Sequence, residues 1–147
     1  MKQEKSLTVF LNQDLMNKIL FFVMMVVFFA SCKSEEIDRS DALSSGRGFV
    51  EASLKGDYVK AERYMLKDST NEQYLDGLRE FSAKLTPLER EHYRDADIII
   101  DSTRSLSDSV DIIYYKNSYK KEPTPLKLVK KDDQWWVDFK YTFVNNP

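Results

Sequence analysis

"LKLVKKDDQWWVDF", Leu126 to Phe139, decides the fold. Apolar and polar residues alternate on both sides of a short charged join, Lys130 to Gln134, and a period of two bounded by a tight polar connection reads as a β-hairpin. Its second arm runs from Gln134 to Phe143 in this reading. Trp135, Val137, Phe139 and Tyr141 share one face; Trp136, Asp138, Lys140 and Thr142 share the other. The first set should face the core. Asp133 occupies a turn position where glycine is the usual solution to a left-handed backbone.

Working outward, three more segments read as strands: Ile98 to Ser102, Val110 to Tyr119 and Leu126 to Lys130, each rich in β-branched or aromatic residues. Pro123 and Pro125 should keep the start of the third strand away from a sheet centre. Before Asp95 the period is near 3.6. Leu43, Val50 and Leu54, with Phe49 beside them, make one apolar stripe, in which Gly46 and Gly48 weaken the early turns. Gly56 can take the left-handed cap conformation, and Asp57 can cap a second short helix carrying Tyr58, Ala61 and Met65. Ser69 with Glu72 has the spacing of a capping box opening a third helix, whose face is Leu75, Leu78, Phe81 and Leu85. Thr86-Pro87-Leu88-Glu89 stops that helix and starts a fourth element through Tyr93. Helices followed by antiparallel strands predict an α+β domain over residues 41–147, with N-terminal helices packed on a curved antiparallel sheet of about four strands.

Two segments carry a resemblance: "FVEASLKGDYVKAERYM", Phe49 to Met65, and "LKLVKKDDQWWVDF". A helix–Gly-Asp–helix join followed by a tryptophan hairpin resembles the small nuclear-transport-factor-two-like (cystatin-like cone) domains of unknown function found in bacterial lipoproteins. The resemblance implies a cone whose interior can hold an apolar ligand or, in enzymatic relatives, an acid–base site built from Asp and His.

The amino-terminal end speaks to location. Ile19 to Ala30, "ILFFVMMVVFFA", is twelve apolar residues after Lys18 and before Ser31-Cys32. That is short for a span, which needs about 20 residues, and fits a signal-peptide core. "FASC", Phe29 to Cys32, resembles the lipobox of bacterial lipoproteins, with Phe29 in place of the usual leucine. The resemblance implies cleavage between Ser31 and Cys32 and acylation of Cys32, so that residues 1–31 are a signal and 32–40 a lipidated tether. The leader before Met16 is long and mixed, and "MNKILFFVMMVVFFASC" is a compact signal by itself, so translation is expected to begin at Met16. "KSEE", Lys33 to Glu36, reads either as an acidic outer-membrane sorting signal or as a solvated linker. The expected location is the cell envelope, lipid-anchored at the outer membrane, facing either the periplasm or the surface.

What the sequence lacks narrows the chemistry. A formal charge of −2 over 147 residues provides no basic field for nucleic acid. Cys32 is the only cysteine, which excludes an internal disulfide or a cysteine-built metal site. The four glycines, Gly46, Gly48, Gly56 and Gly77, form no phosphate loop, and Asp95, Asp97 and Asp101 lack the spacing of a calcium loop, so neither cofactor nor metal is expected. The one histidine, His92, reads either as a general base paired with Asp138 or as a solvent-facing helix residue among charges. Tyr114, Tyr115, Tyr119, Trp135 and Trp136 read either as a ligand wall or as ordinary sheet residues. Asp68-Ser69-Thr70, Asp101-Ser102-Thr103 and Asp108-Ser109-Val110 resemble bacterial O-glycosylation sites, although Ser69 also reads as a helix cap. The leading functional expectation is a non-catalytic, lipid-anchored envelope accessory or binding domain engaging a small apolar ligand or an envelope protein. The alternative is a small cone-fold enzyme using His92 and Asp138.

Overall fold

Helix α1 (Ala42–Leu54) starts where Asp41 accepts a hydrogen bond from the Ser44 N–H at 2.9 Å. The computed structural model describes residues 36–144, so the segment 1–31 expected to be a signal, Cys32 and the first residues of the expected tether lie outside the described residues. The buried face of α1 is Ala42, Ser45, Gly46, Phe49, Val50 and Ala52, whereas Leu43, expected in the stripe, is exposed. Small residues win this face because the helix lies close on the sheet: a Cβ on Gly46 would come within 3.0 Å of Ile113 Cδ1. Both glycines therefore sit inside a helix that begins at Ala42. Gly56 has φ +75° and Asp57 caps α2 (Tyr58–Glu62), accepting from the Lys60 N–H at 2.9 Å, as expected.

Helix α2 stops short of Met65 because the chain is drawn onto the sheet. Val137 N–H donates to the Tyr64 carbonyl and Leu66 N–H to the Val137 carbonyl, each at 2.9 Å. Residues 64–66 thereby cover what would otherwise be an open sheet edge. Helix α3 (Ser69–Lys84) is capped by Asp68, not by Ser69 as the capping-box spacing suggested. The extended Asp68 backbone sets its carboxylate under the Thr70 and Asn71 N–H groups, leaving Ser69 as the first helical residue. Helix α4 (Pro87–Arg94) opens with the expected reciprocal box between Thr86 and Glu89.

Four antiparallel strands follow in the order β1-β2-β3-β4: β1 (Ile98–Ser107), β2 (Val110–Asn117), β3 (Thr124–Lys131) and β4 (Gln134–Asp138). Strand β1 runs five residues beyond the expected end at Ser102. Its extension is fully exposed, so backbone pairing with β2 holds it and no apolar alternation marks it. Irregularities between Ile100 and Ser102 and between Ser105 and Ser107 bend it. Strand β2 ends at Asn117 instead of Tyr119, because the Asn117 side chain accepts from Lys120 N–H at 2.8 Å and turns the chain.

Strand β4 ends at Asp138 instead of Phe143. Lys140 N–H donates to Asn71 Oδ1 at 2.7 Å and the chain coils into α5 (Lys140–Val144). Thr142 Oγ1 then donates to the Pro125 carbonyl at 2.7 Å. That carbonyl faces the side of β3 that β4 has left, so the missing Pro125 N–H faces the same way and costs the sheet nothing. The expected two-faced pattern holds through Asp138 and breaks beyond it: Thr142 is buried under β3. The core comprises Phe49, Ala61, Met65, Leu75, Ile113, Leu126, Leu128, Val137 and Phe139, between the helices and one sheet face. Ile37 packs against it, so ordered contacts begin ahead of Asp41.

Candidate functional site

Between the end of α1, the α3–α4 junction and the floor of β2 lies a cleft of about 510 Å³. Leu78, Phe81 and Leu85 project into it from one face of α3. The break at Thr86-Pro87 then turns α4 back, so that Arg90, Tyr93 and Arg94, one turn apart, line the opposite wall. Val50 and Leu54 contribute from α1, and Tyr58 from α2. Tyr115 forms the floor, pointing to the helix side with Ile113 and Ile100. Burial pushes its hydroxyl up to about 12, against the opposite pull of a hydrogen bond with Thr124. It is a neutral donor at any physiological pH.

The charges around the cleft are mostly matched. Lys55 Nζ lies 2.6 Å from Glu51, and Arg94 lies 3.2 Å from Asp95 and 3.9 Å from Glu91. Arg90 donates to the Leu85 carbonyl at 2.9 Å and has no carboxylate partner among the described residues. Phe81 is 47% exposed, an apolar ring left at the rim. An aromatic path leads outward: Phe81 meets Tyr93 edge-on at 6.3 Å, Tyr93 meets Tyr119 at 5.1 Å, and His92 stacks on Tyr119 at 5.0 Å.

The residues singled out from the sequence fall in different places. His92 is exposed on α4 and stacks on Tyr119. Asp138 is buried at the end of β4, with Lys127 and Lys140 each at 3.2 Å and Asn71 Nδ2 at 3.5 Å. His92 and Asp138 share no hydrogen bond or ion pair. Asp138 instead belongs to a clasp in which Lys140 also meets Asp68 at 2.9 Å and Asn71 bonds Asp68 at 2.7 Å. The clasp ties the start of α3 to the turn after β4.

The aromatic residues do not form one wall, since neighbours on a strand point to opposite faces. Tyr115 lines the cleft; Tyr114 is on the other face. Trp135 packs on the core, with its carbonyl accepting from Ser45 Oγ at 2.8 Å. Trp136 lies on the helix-free face beneath the Arg39 guanidinium, 3.9 Å from its ring centre. Arg90, Phe81 and Tyr93 were not expected as site residues. The Leu78-Phe81-Leu85 stripe looks like core in sequence, and only the fold-back after Pro87 opens it. Among the described residues no acidic, histidine or cysteine group is arranged to hold a metal, and no helix is long and apolar enough to cross a membrane.

By architecture the domain is α+β. No family model and no curated protein matches the chain. Among solved structures it is similar to an NTF-2-like protein of unknown function from Shewanella oneidensis MR-1, at 14% identity. That match covers 65% of this chain and 89% of the other, with a TM-score of 0.46.

Proposed function

We propose that this chain is a lipid-anchored, non-catalytic binding domain of the cell envelope whose cleft takes a small apolar ligand. The observation that carries the binding reading is the cleft itself: about 510 Å³, with Val50, Leu54, Leu78, Phe81 and Leu85 along its walls, Lys55, Ser82, Arg90, Glu91 and Arg94 beside them, and Tyr115 at its floor. Small-molecule sites have this size and combine apolar walls with polar fixing points. The helix–Gly56-Asp57–helix join and the tryptophan hairpin support grouping the domain with the nuclear-transport-factor-two-like proteins. The anchor rests on the lipobox-like Phe29 to Cys32, where two or three acyl chains at roughly 0.8 kcal/mol per buried methylene would hold the protein to a leaflet.

Two experiments test the two parts. The full chain, expressed in a Gram-negative host fed an alkyne fatty acid, is expected to take up label and sediment with membranes. Cys32→Ser is expected to lose both properties, and retention of label by this variant sinks the anchor. For the cleft, the detergent-extracted chain is photolysed with a diazirine-bearing dodecanol and the cross-linked peptides are mapped. Cross-links are expected within residues 78–94 and are expected to disappear in Ser82→Trp, which fills the cleft. Labelling spread evenly over the surface sinks the binding reading.

A further inference from the structure

We infer that the ligand of this cleft is a monoanionic amphiphile, its single negative charge held at Arg90 and its apolar body lying between α3 and β2. The inference rests on the cleft reading above and adds the chemical class of the ligand. Lys55 is ion-paired with Glu51 and Arg94 with Asp95 and Glu91, so Arg90 is the cation of the lining that has no carboxylate partner among the described residues. That cation is not loose. Its Nη1 donates to the Leu85 carbonyl at the end of α3, which fixes the guanidinium beside the apolar wall and leaves its remaining N–H donors free.

A guanidinium presents paired donors that match the two oxygens of a carboxylate, and it is weakly hydrated, so it gives up water to an anion readily. Leu54, Leu78, Phe81 and Leu85 offer no partner for a second charge, the other two cations of the lining, Lys55 and Arg94, already hold carboxylates, and burying an unpaired charge is costly. An apolar chain or ring in the cleft would cover Phe81, whose ring is half exposed.

The test compares two photoprobes of equal length, a diazirine-bearing dodecanoate and the matching dodecanol, on the full chain in non-ionic detergent at pH 8. Detergent competes with both, so the acid-to-alcohol ratio of cross-links within residues 78–94 is the readout. The ratio is expected to be roughly fivefold in the native chain, the size of a partly exposed charge-assisted pair. It is expected to fall to about one in Arg90→Ala while alcohol labelling persists, and to be largely retained in Arg90→Lys. A ratio near one in the native chain, or an unchanged ratio in Arg90→Ala, overturns the anionic class while leaving the cleft reading in place. Labelling of the cleft by neither probe overturns both.

Discussion

The ring of Tyr64 occupies the space that a side chain on Gly48 would need. Tyr64 is 4% exposed, held at the turn where α2 gives way to the strip covering β4. A helical glycine ordinarily costs about 1 kcal/mol relative to alanine. Here the alternative is overpacking against a buried ring, at about 1–3 kcal/mol. Gly48→Ala is therefore expected to lower stability by about 1 kcal/mol in chemical denaturation. Gly77, also inside a helix, has nothing near its missing Cβ, and Gly77→Ala is expected to raise stability by about 0.5–1 kcal/mol. Equal shifts for the two variants would show that helix propensity alone operates at both.

The β3–β4 turn carries strain that glycine would remove. Asp132 and Asp133 have φ of 53° and 57°, the left-handed pair that a two-residue hairpin turn demands, and Lys131 still pairs with Gln134. The pairing is therefore tight without the usual glycine. Asp133→Gly is expected to stabilise the domain by about 0.5 kcal/mol, strain relief exceeding the added chain entropy. A melting temperature lower than that of the native chain would contradict this.

Acid should loosen the clasp between α3 and α5. The Asn71 N–H and the Lys140 ammonium hold the Asp68 carboxyl below its ordinary value of 3.8, while Asp68 and Asp138 together raise Lys140. A depressed folded pKa means that the unfolded chain binds the proton first as pH falls. The Asp68 contribution is complete above about pH 4 and is lost as pH drops through the folded value. Asp68→Asn is expected to flatten the acid limb of a stability–pH curve. Asn71→Ala, which leaves the Lys140 N–H and two carboxylates short of a buried partner, is expected to cost about 2–3 kcal/mol near neutrality.

Alkali should act through the cleft floor. Tyr115 titrates near 12 against an ordinary value of 10.0, so the folded chain keeps its proton when the unfolded chain has begun to lose it. Stability from this group is fully present below pH 10 and declines as pH rises from 10 to about 12. Ultraviolet titration of the phenolates is expected to show, besides Tyr93, which burial also raises, a late tyrosine near 12 that is absent in Tyr115→Phe, whose alkaline limb is also shallower. A Tyr115→Phe curve that overlays the native one would remove burial as the cause.

Much of the architecture was legible because it follows from local rules. Gly56, Asp57, Thr86 and Glu89 act as read, since a left-handed cap and a capping box close within a few residues. The β3–β4 hairpin was legible for the same reason, its alternation and its short join being adjacent in sequence. The misreadings lie where a distant partner intervened. Asn71, 69 residues before Lys140, ends β4 five residues early. Pairing with β2 extends a β1 segment that has no apolar signature.

The sequence by itself determined the α+β class, the order of helices and strands and the absence of any internal disulfide, because period, caps and composition are local or countable. Ser31, Cys32 and the residues after them are the few adjacent positions on which the proposed anchor rests. Tertiary structure alone decided the cleft. Leu78, Phe81 and Leu85 have the spacing of a core face, and nothing in that spacing says that α4 folds back to leave a gap. Tyr114 and Tyr115 are equivalent in sequence, and strand register alone sends one to the cleft and the other away. Arg90 is one arginine among several until Lys55 and Arg94 beside it are seen to hold carboxylate partners that it lacks. Side-chain neutralisation and cavity volume depend on contacts between remote segments, and only the folded chain brings those segments together.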